Sequence, residues 1–276
     1  MAGAEFAGTV LYTPTSLSSP RYHPGDEVFG VAQGAFATHI ACLEDALHLV
    51  PNGWGFDAAA GLPVTASTAY AALTTRAAVS KGEYVLVHAA AGGIGLAAVQ
   101  IAKALGASVI ACVGSELKGR IAQSFGADAV VDYTRDQWWK EVQAATPDRE
   151  GVDVVIDSVG LIEGSLKCMR WGGRLVIVGF AGGRIEEVRM NRVLLKNVSL
   201  MGLHWGTYAT KSPDTVDKVW QDLYRMMDDG VFKPTTFNGR NFKGLSTVKD
   251  ALIALERRET WGKVIVNVHG PDISRL

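Results

Sequence analysis

From Tyr84 onward the chain alternates between continuous apolar runs and stretches of helical period. Residues 84–88 form a short apolar strand, 93–105 carry Ile94, Ala97, Ala98, Ile101, Ala102 and Leu105 at helical spacing, and 107–113 form a second apolar strand. The rhythm repeats: helix 117–125 leads to strand 129–131, helix 136–145 to strand 152–157, helix 162–169 to strand 174–178, and a last strand is expected at 197–202. Strands apolar along their whole length are covered on both faces. Their alternation with helices therefore predicts parallel order in a doubly wound α/β sheet.

The flanks have another texture. Between 21 and 50, short apolar pieces at 27–31 and 36–40 are separated by turn chemistry such as Pro24-Gly25-Asp26, which predicts antiparallel β structure. An Ala-rich helix with Asp57 as its expected N-cap and a second helix over 65–79 lead into the α/β unit. Behind it come helices over 213–229 and 247–258 and a closing strand over 262–268. The β-rich start and the tail are expected to join as one lobe around the inserted α/β unit.

Composition narrows the function. The 276 residues are 48% hydrophobic and 20% charged, enough for one large or two modest cores, and the net charge of −1 lacks the basic excess that nucleic-acid binding draws on. A small-molecule function is expected, with no nucleic-acid partner. Cys42, Cys112 and Cys168 are odd in number and never paired as C-x-x-C, so neither a disulfide framework nor a zinc knuckle is signalled, and a reducing, cytoplasmic location is expected. The first 14 residues lack a basic segment followed by an apolar one, so no cleaved signal is expected. The uncharged run 84–102 is interrupted by glycines, His88 and Gln100, and reads as strand, turn and helix rather than a membrane span.

The strongest chemical signal is His88-Ala-Ala-Ala-Gly92-Gly93-Ile94-Gly95, directly after a strand and opening a helix. A pyrophosphate there meets unpaired N–H groups and the positive end of the helix dipole, and glycines let the backbone approach it. Ala90 stands at the first position of G-x-G-x-x-G, with Gly92 and Gly95 at the second and third. A glycine cluster by itself is a tight turn; its place between strand and helix predicts dinucleotide binding. At the end of the second strand, Ser115 offers a hydroxyl and Lys118 a cation for a 2′-phosphate, while Glu116 argues for a free ribose hydroxyl. The other reading is that Ser115 only caps a helix and Lys118 is a surface charge.

The chain resembles the zinc-independent quinone oxidoreductases of the medium-chain dehydrogenase/reductase superfamily. The likeness rests on Pro24-Gly25-Asp26-Glu27-Val28-Phe29, Leu62-Pro63-Val64-Thr65-Ala66-Ser67-Thr68-Ala69-Tyr70, the segment from Ala90 to Lys103, Phe125-Gly126-Ala127-Asp128, Val155-Ile156-Asp157-Ser158-Val159-Gly160, Leu194-Leu195-Lys196-Asn197 and Gly262-Lys263-Val264-Ile265-Val266. The resemblance implies a Rossmann domain over 67–203 inserted in a β-rich, GroES-like catalytic domain made of 1–66 and 204–276. It also implies NADPH as hydride donor and a homodimer joined around 198–202. Residue by residue, it implies Thr68 near the nicotinamide and Gly92, Gly93, Ile94 and Gly95 at the pyrophosphate. Ser115, Lys118 and Tyr133 would surround the 2′-phosphate and ribose, with Phe180 and Gly182 beside the nicotinamide and Val159 in the same site.

Zinc-dependent relatives carry Gly-His-Glu where this chain reads Gly3-Ala4-Glu5, and a four-cysteine loop without counterpart here. His23, His39, His48, His88, His204 and His269 show no H-x-x-x-H spacing, so no metal is expected. Hydride would then pass to an acceptor already electrophilic, a quinone or the β-carbon of an enone. In the family the stretch like 3–8 lies inside the catalytic domain, so that domain is expected to be incomplete at its front. Two functions follow: an NADPH-dependent reductase of quinones or α,β-unsaturated carbonyls, or an NADPH-binding protein without turnover. No side chain stands out as a proton donor.

Overall fold

The computed structural model describes residues 2–14 and 19–268, so His269 lies outside the described residues. The chain divides into two compact units, Met1–Val64 with Lys233–Leu276, and Thr65–Phe232.

In the first unit, β1 (Glu5–Thr9), β2 (Glu27–Val31) and β3 (Leu47–Leu49) form an antiparallel sheet in that order. The Pro24-Gly25-Asp26 turn before β2 is closed by the Asp26 N–H on the His23 carbonyl at 3.0 Å and the His23 N–H on the Asp26 carboxylate at 2.7 Å. Segment 36–40, expected as a strand, is a run of bends, because both edges of β2 are already taken by β1 and β3. The helix α1 (Phe56–Ala60) starts from Gly55, and Asp57 lies within its first turn instead of capping it. There the carboxylate still favours the positive end of the dipole.

The second unit begins with α2 (Thr65–Ala71), extended by a π-helical turn over Ala72–Arg76. It continues with β4 (Tyr84–His88), α3 (Gly93–Ala104), β5 (Ser108–Val113), α4 (Glu116–Ser124), β6 (Ala129–Asp132), α5 (Trp138–Ala144), β7 (Val152–Asp157), α6 (Ile162–Cys168) and β8 (Met169–Ile177). Then follow α7 (Met190–Lys196), β9 (Ser199–Gly202), α8 (Tyr208–Lys211) and α9 (Pro213–Asp228). All six strands are parallel in the order β6-β5-β4-β7-β8-β9, the doubly wound Rossmann arrangement. The order reverses between β4 and β7. Ligands in such sheets sit beyond the carboxyl ends of the strands at that switch.

The sheet core is closed by Leu86, Ile110, Val155 and Leu175, all essentially without solvent exposure. Trp138 is buried against it, while Trp139 is half-buried with the Lys167 ammonium 3.6 Å above its ring centre. The unit runs to Phe232: α9 packs on α2, burying Trp220 and Leu223, and the Tyr70 hydroxyl donates to Asp222 at 3.0 Å. In the tail, β10 (Phe242–Lys243), α10 (Val248–Glu256) and β11 (Val266–Asn267) pack around Phe242, Ala251 and Ala254. The closing strand expected at 262–268 is split into a bridge at Lys263 and β11. Glu5 ties this tail to the front of its own unit, pairing with Lys263 and accepting the Val64 N–H at 3.0 Å. Among the described residues, no helix is long and apolar enough to cross a membrane.

Candidate functional site

The glycine-rich loop leaves β4 at the switch point. Ala89 takes a left-handed conformation, φ 46°, and its carbonyl accepts the Gly92 N–H at 2.7 Å, folding the loop into a tight turn. The Ala90 N–H reaches the Cys112 carbonyl at 3.2 Å, which anchors the turn to β5. Gly92 is the N-cap of α3 and has no side chain to cover the first turn. Gly95 permits the close approach of helix and loop: a Cβ there would stand 2.7 Å from Ala90 Cα and would run into the Ala89 carbonyl. Gly92, Gly93 and Ile94 remain half-buried while Gly95 is buried, so the first N–H groups of a 12-residue helix face a bare, approachable backbone.

Beyond β5 and β6 the residues expected around a 2′-phosphate come together. Ser115 is the N-cap of α4, its hydroxyl accepting the Lys118 N–H at 3.4 Å, so the capping role is realised and ties Ser115 to Lys118. Gly114 lies under Tyr133: a Cβ at Gly114 would be 2.7 Å from the Tyr133 hydroxyl. Tyr133 itself is held to the end of β5 by its N–H on the Val113 carbonyl at 3.0 Å. An aromatic face and a helix N-terminus with a lysine therefore adjoin at the end of β5.

Beyond β7 and β8 the two loops carrying Val159, Phe180 and Gly182 are joined. The Gly182 N–H donates to the Val159 carbonyl at 3.0 Å and the Ala181 N–H to the Ser158 carbonyl at 2.9 Å. Gly160, at φ +95°, lets the Phe180 ring close over it, with a Cβ position 3.2 Å from the ring edge. Phe180 is 39% exposed, an aromatic surface offered to solvent. Thr68 does not come from these loops; it is buried in α2, on the helix that packs along α3.

Sequence reasoning missed the residues beneath the loops. Asp157, the fully buried last residue of β7, accepts the N–H groups of Val159, Gly160 and Leu161 at 2.8, 2.9 and 2.8 Å. The local signal was present: an acidic residue at a strand end followed by Ser-Val-Gly is an Asx-turn pattern. Beside it, His88 Nε2 lies 2.7 Å from the Ser165 hydroxyl, which donates to the Leu161 carbonyl at 2.8 Å, so the histidine is the donor and carries its proton on Nε2. Nδ1 is buried with no partner. Burial holds the His88 pKa below its ordinary value, and the Asp157 charge works against that shift.

The cysteines are poor nucleophiles. Burial pushes the Cys168 thiol up to about 12 and Cys112 well above the ordinary range, and also raises Cys42, so none favours its thiolate. Among the described residues, no group of three or more His, Cys, Asp or Glu side chains is arranged to hold a metal ion. After β9, Trp205 and Tyr208 stack at 5.2 Å between ring centres, and His204 Nδ1 meets Thr207 at 2.8 Å.

This arrangement, a doubly wound sheet whose switch-point loop is cut to receive a pyrophosphate, defines a dinucleotide-binding α/β protein. Residues 93–224 match the family model described as zinc-binding dehydrogenase. The chain is 38% identical over 271 residues to quinone oxidoreductase-like protein 2 of Bos taurus, covering 96% of this chain and 76% of the bovine protein. It is also similar to the structure of Escherichia coli quinone oxidoreductase complexed with NADPH, with a TM-score of 0.85, 28% identity and coverage of 96% of this chain and 81% of that one. CurK enoyl reductase gives a TM-score of 0.85 at 29% identity, covering 97% and 79%. The chain belongs to the quinone oxidoreductase-like family of the medium-chain dehydrogenase/reductase superfamily.

Proposed function

We propose that this chain is an NADPH-dependent oxidoreductase that delivers hydride to quinones or α,β-unsaturated carbonyls without zinc. The observation that carries the reading is the cradle at the start of α3, where the space a Gly95 Cβ would fill is taken by the Ala89 and Ala90 backbone. The first N–H groups of α3 fit a pyrophosphate. Ser115, Lys118 and Tyr133 fit the 2′-phosphate and ribose, and Val159, Phe180 and Gly182 fit the nicotinamide end, with Thr68 as a further neighbour of that ring. Bound NADPH supplies the hydride. The chain's own work is to orient it: α3 fixes the pyrophosphate, and the joined loops beyond β7 and β8 exclude water from one face of the ring. NADPH in the Escherichia coli relative supports the cofactor, and the quinone and enoyl reductase relatives support the acceptor class.

We further propose a homodimer through β9. Among the described residues that strand is an edge, paired with β8 alone, and the neighbouring α7 exposes Met190, Leu194 and Leu195. Three free cysteines fit a reducing compartment, the cytoplasm. The deciding experiment is NADPH oxidation by the purified chain with a simple quinone and, separately, an enone. Many turnovers per chain are expected. Stoichiometric NADPH binding with no oxidation by either acceptor would replace this reading with a binding protein that lacks turnover.

A further inference from the structure

Asp157 holds more of the candidate site than any residue the resemblance singles out. One carboxylate oxygen accepts the Val159 and Gly160 N–H groups, and the other accepts that of Leu161. The loop so held is the one on which the 180–182 loop rests, through Gly182 on the Val159 carbonyl, Ala181 on the Ser158 carbonyl, and Phe180 over Gly160. Leu161 is gripped at both ends. Its N–H goes to Asp157, and its carbonyl goes to Ser165, which in turn accepts from His88, the residue before the glycine-rich turn.

We propose that Asp157 is the positioning residue for the nicotinamide half of the cofactor, its carboxylate holding the loop after β7, and through it the loop after β8, in the shape that receives the ring. This rests on the NADPH reading above. Only a carboxylate offers acceptors on both sides. In Asp157→Asn one side becomes an NH2 group facing a backbone N–H, either the pair from Val159 and Gly160 or the one from Leu161, so the loop must let go of at least one donor. The hydrogen bonds of this carboxylate go to Val159, Gly160 and Leu161, in the loop after β7, so the two halves of the cofactor respond differently.

The test is titration of the wild-type chain and Asp157→Asn with NADPH, following reduced-nicotinamide emission, and with 2′,5′-ADP, which carries only the adenosine half. In the variant, 2′,5′-ADP affinity is expected to stay within about twofold, while NADPH binds about 10-fold more weakly and the emission enhancement disappears. Gly160→Ala is the second variant, because its Cβ would press on the Arg184 carbonyl and the Phe180 ring from the other side of the same loop at φ +95°. It leaves the buried carboxylate in place, and the same split is expected. Wild-type emission and NADPH affinity in either folded variant would overturn the proposal, as would equal loss of NADPH and 2′,5′-ADP. A wild-type chain that binds 2′,5′-ADP and NADPH without any emission enhancement also overturns it, since no ring is being positioned. A wild-type chain that binds neither refutes the cofactor reading itself and takes this proposal with it.

Discussion

Beyond β5 and β6, two candidate cofactor residues stand at the start of one helix, Ser115 capping α4 through a 3.4 Å bond to Lys118, and the third, Tyr133, is held to the end of β5. Beyond β7 and β8 they belong to two loops that share hydrogen bonds and rest on a buried carboxylate. The first end is built from side chains that solvent reaches, so it can be altered one charge at a time. The second is built from backbone whose shape depends on buried groups, so any change there propagates. Under the proposed NADPH reading this divides the work: the first end would select the cofactor, and the second would fix where its reacting ring stands. The glycine-rich turn between them serves both.

The largest effect should come from that turn. Gly95→Val places a branched side chain where even a Cβ meets the Ala90 Cα at 2.7 Å, so stability should fall by about 3 kcal/mol or more and NADPH binding should vanish. Thermal unfolding and an NADPH titration check both; a variant of native stability would mean that helix and loop are not locked together.

Next is acid. Burial lowers the His88 pKa in the fold from 6.5, so the unfolded chain binds the extra proton first and stability falls as pH drops below about 6.5. His48, lowered to about 4 by burial and by Arg21, acts in the same direction. Melting temperature should therefore decrease from pH 7 to 5, and His88→Asn should flatten that slope, leaving the His48 share. An unchanged slope would remove His88 from the account of the nicotinamide end.

Smaller and more selective is Lys118→Ala. NADPH should bind about 2- to 5-fold more weakly, as for one partly exposed ion pair, with NADH unaffected. Equal loss for both cofactors would make Lys118 a structural residue. Smallest is Ser115→Ala, which removes a cap worth about 1 kcal/mol together with the hydroxyl offered to the 2′-phosphate, so NADPH should weaken slightly more than NADH, measured by melting and titration together.

The sequence revealed the parallel sheet well, and for a physical reason. Strands buried on both faces leave uninterrupted apolar runs, so 84–88 and 152–157 match β4 and β7 residue for residue. The α7 helix was invisible because none of its residues is fully buried: Val193 alone of its apolar side chains leans on the sheet core, while Leu194 and Leu195 are 78% and 75% exposed, which leaves no one-sided pattern to read. Segment 36–40 misled in the opposite sense: it has strand-like residues, yet the preceding β2 is already paired on both sides and the segment folds as bends. In the site, the glycine spacing was readable because the chemistry lies within eight consecutive residues. The His88–Ser165 link was not, since 77 residues separate its members and only the fold brings β4 beside α6.

The most direct test of the central claim, that this unit holds the whole of NADPH in a built site, is a titration of the wild-type chain with NADPH and NADH in parallel, following nicotinamide emission. The account predicts enhanced emission on binding and tighter binding of NADPH than of NADH. Equal affinity for the two would contradict the role given to Ser115, Lys118 and Tyr133. Binding without enhancement would contradict the role given to Asp157 and the loops above it.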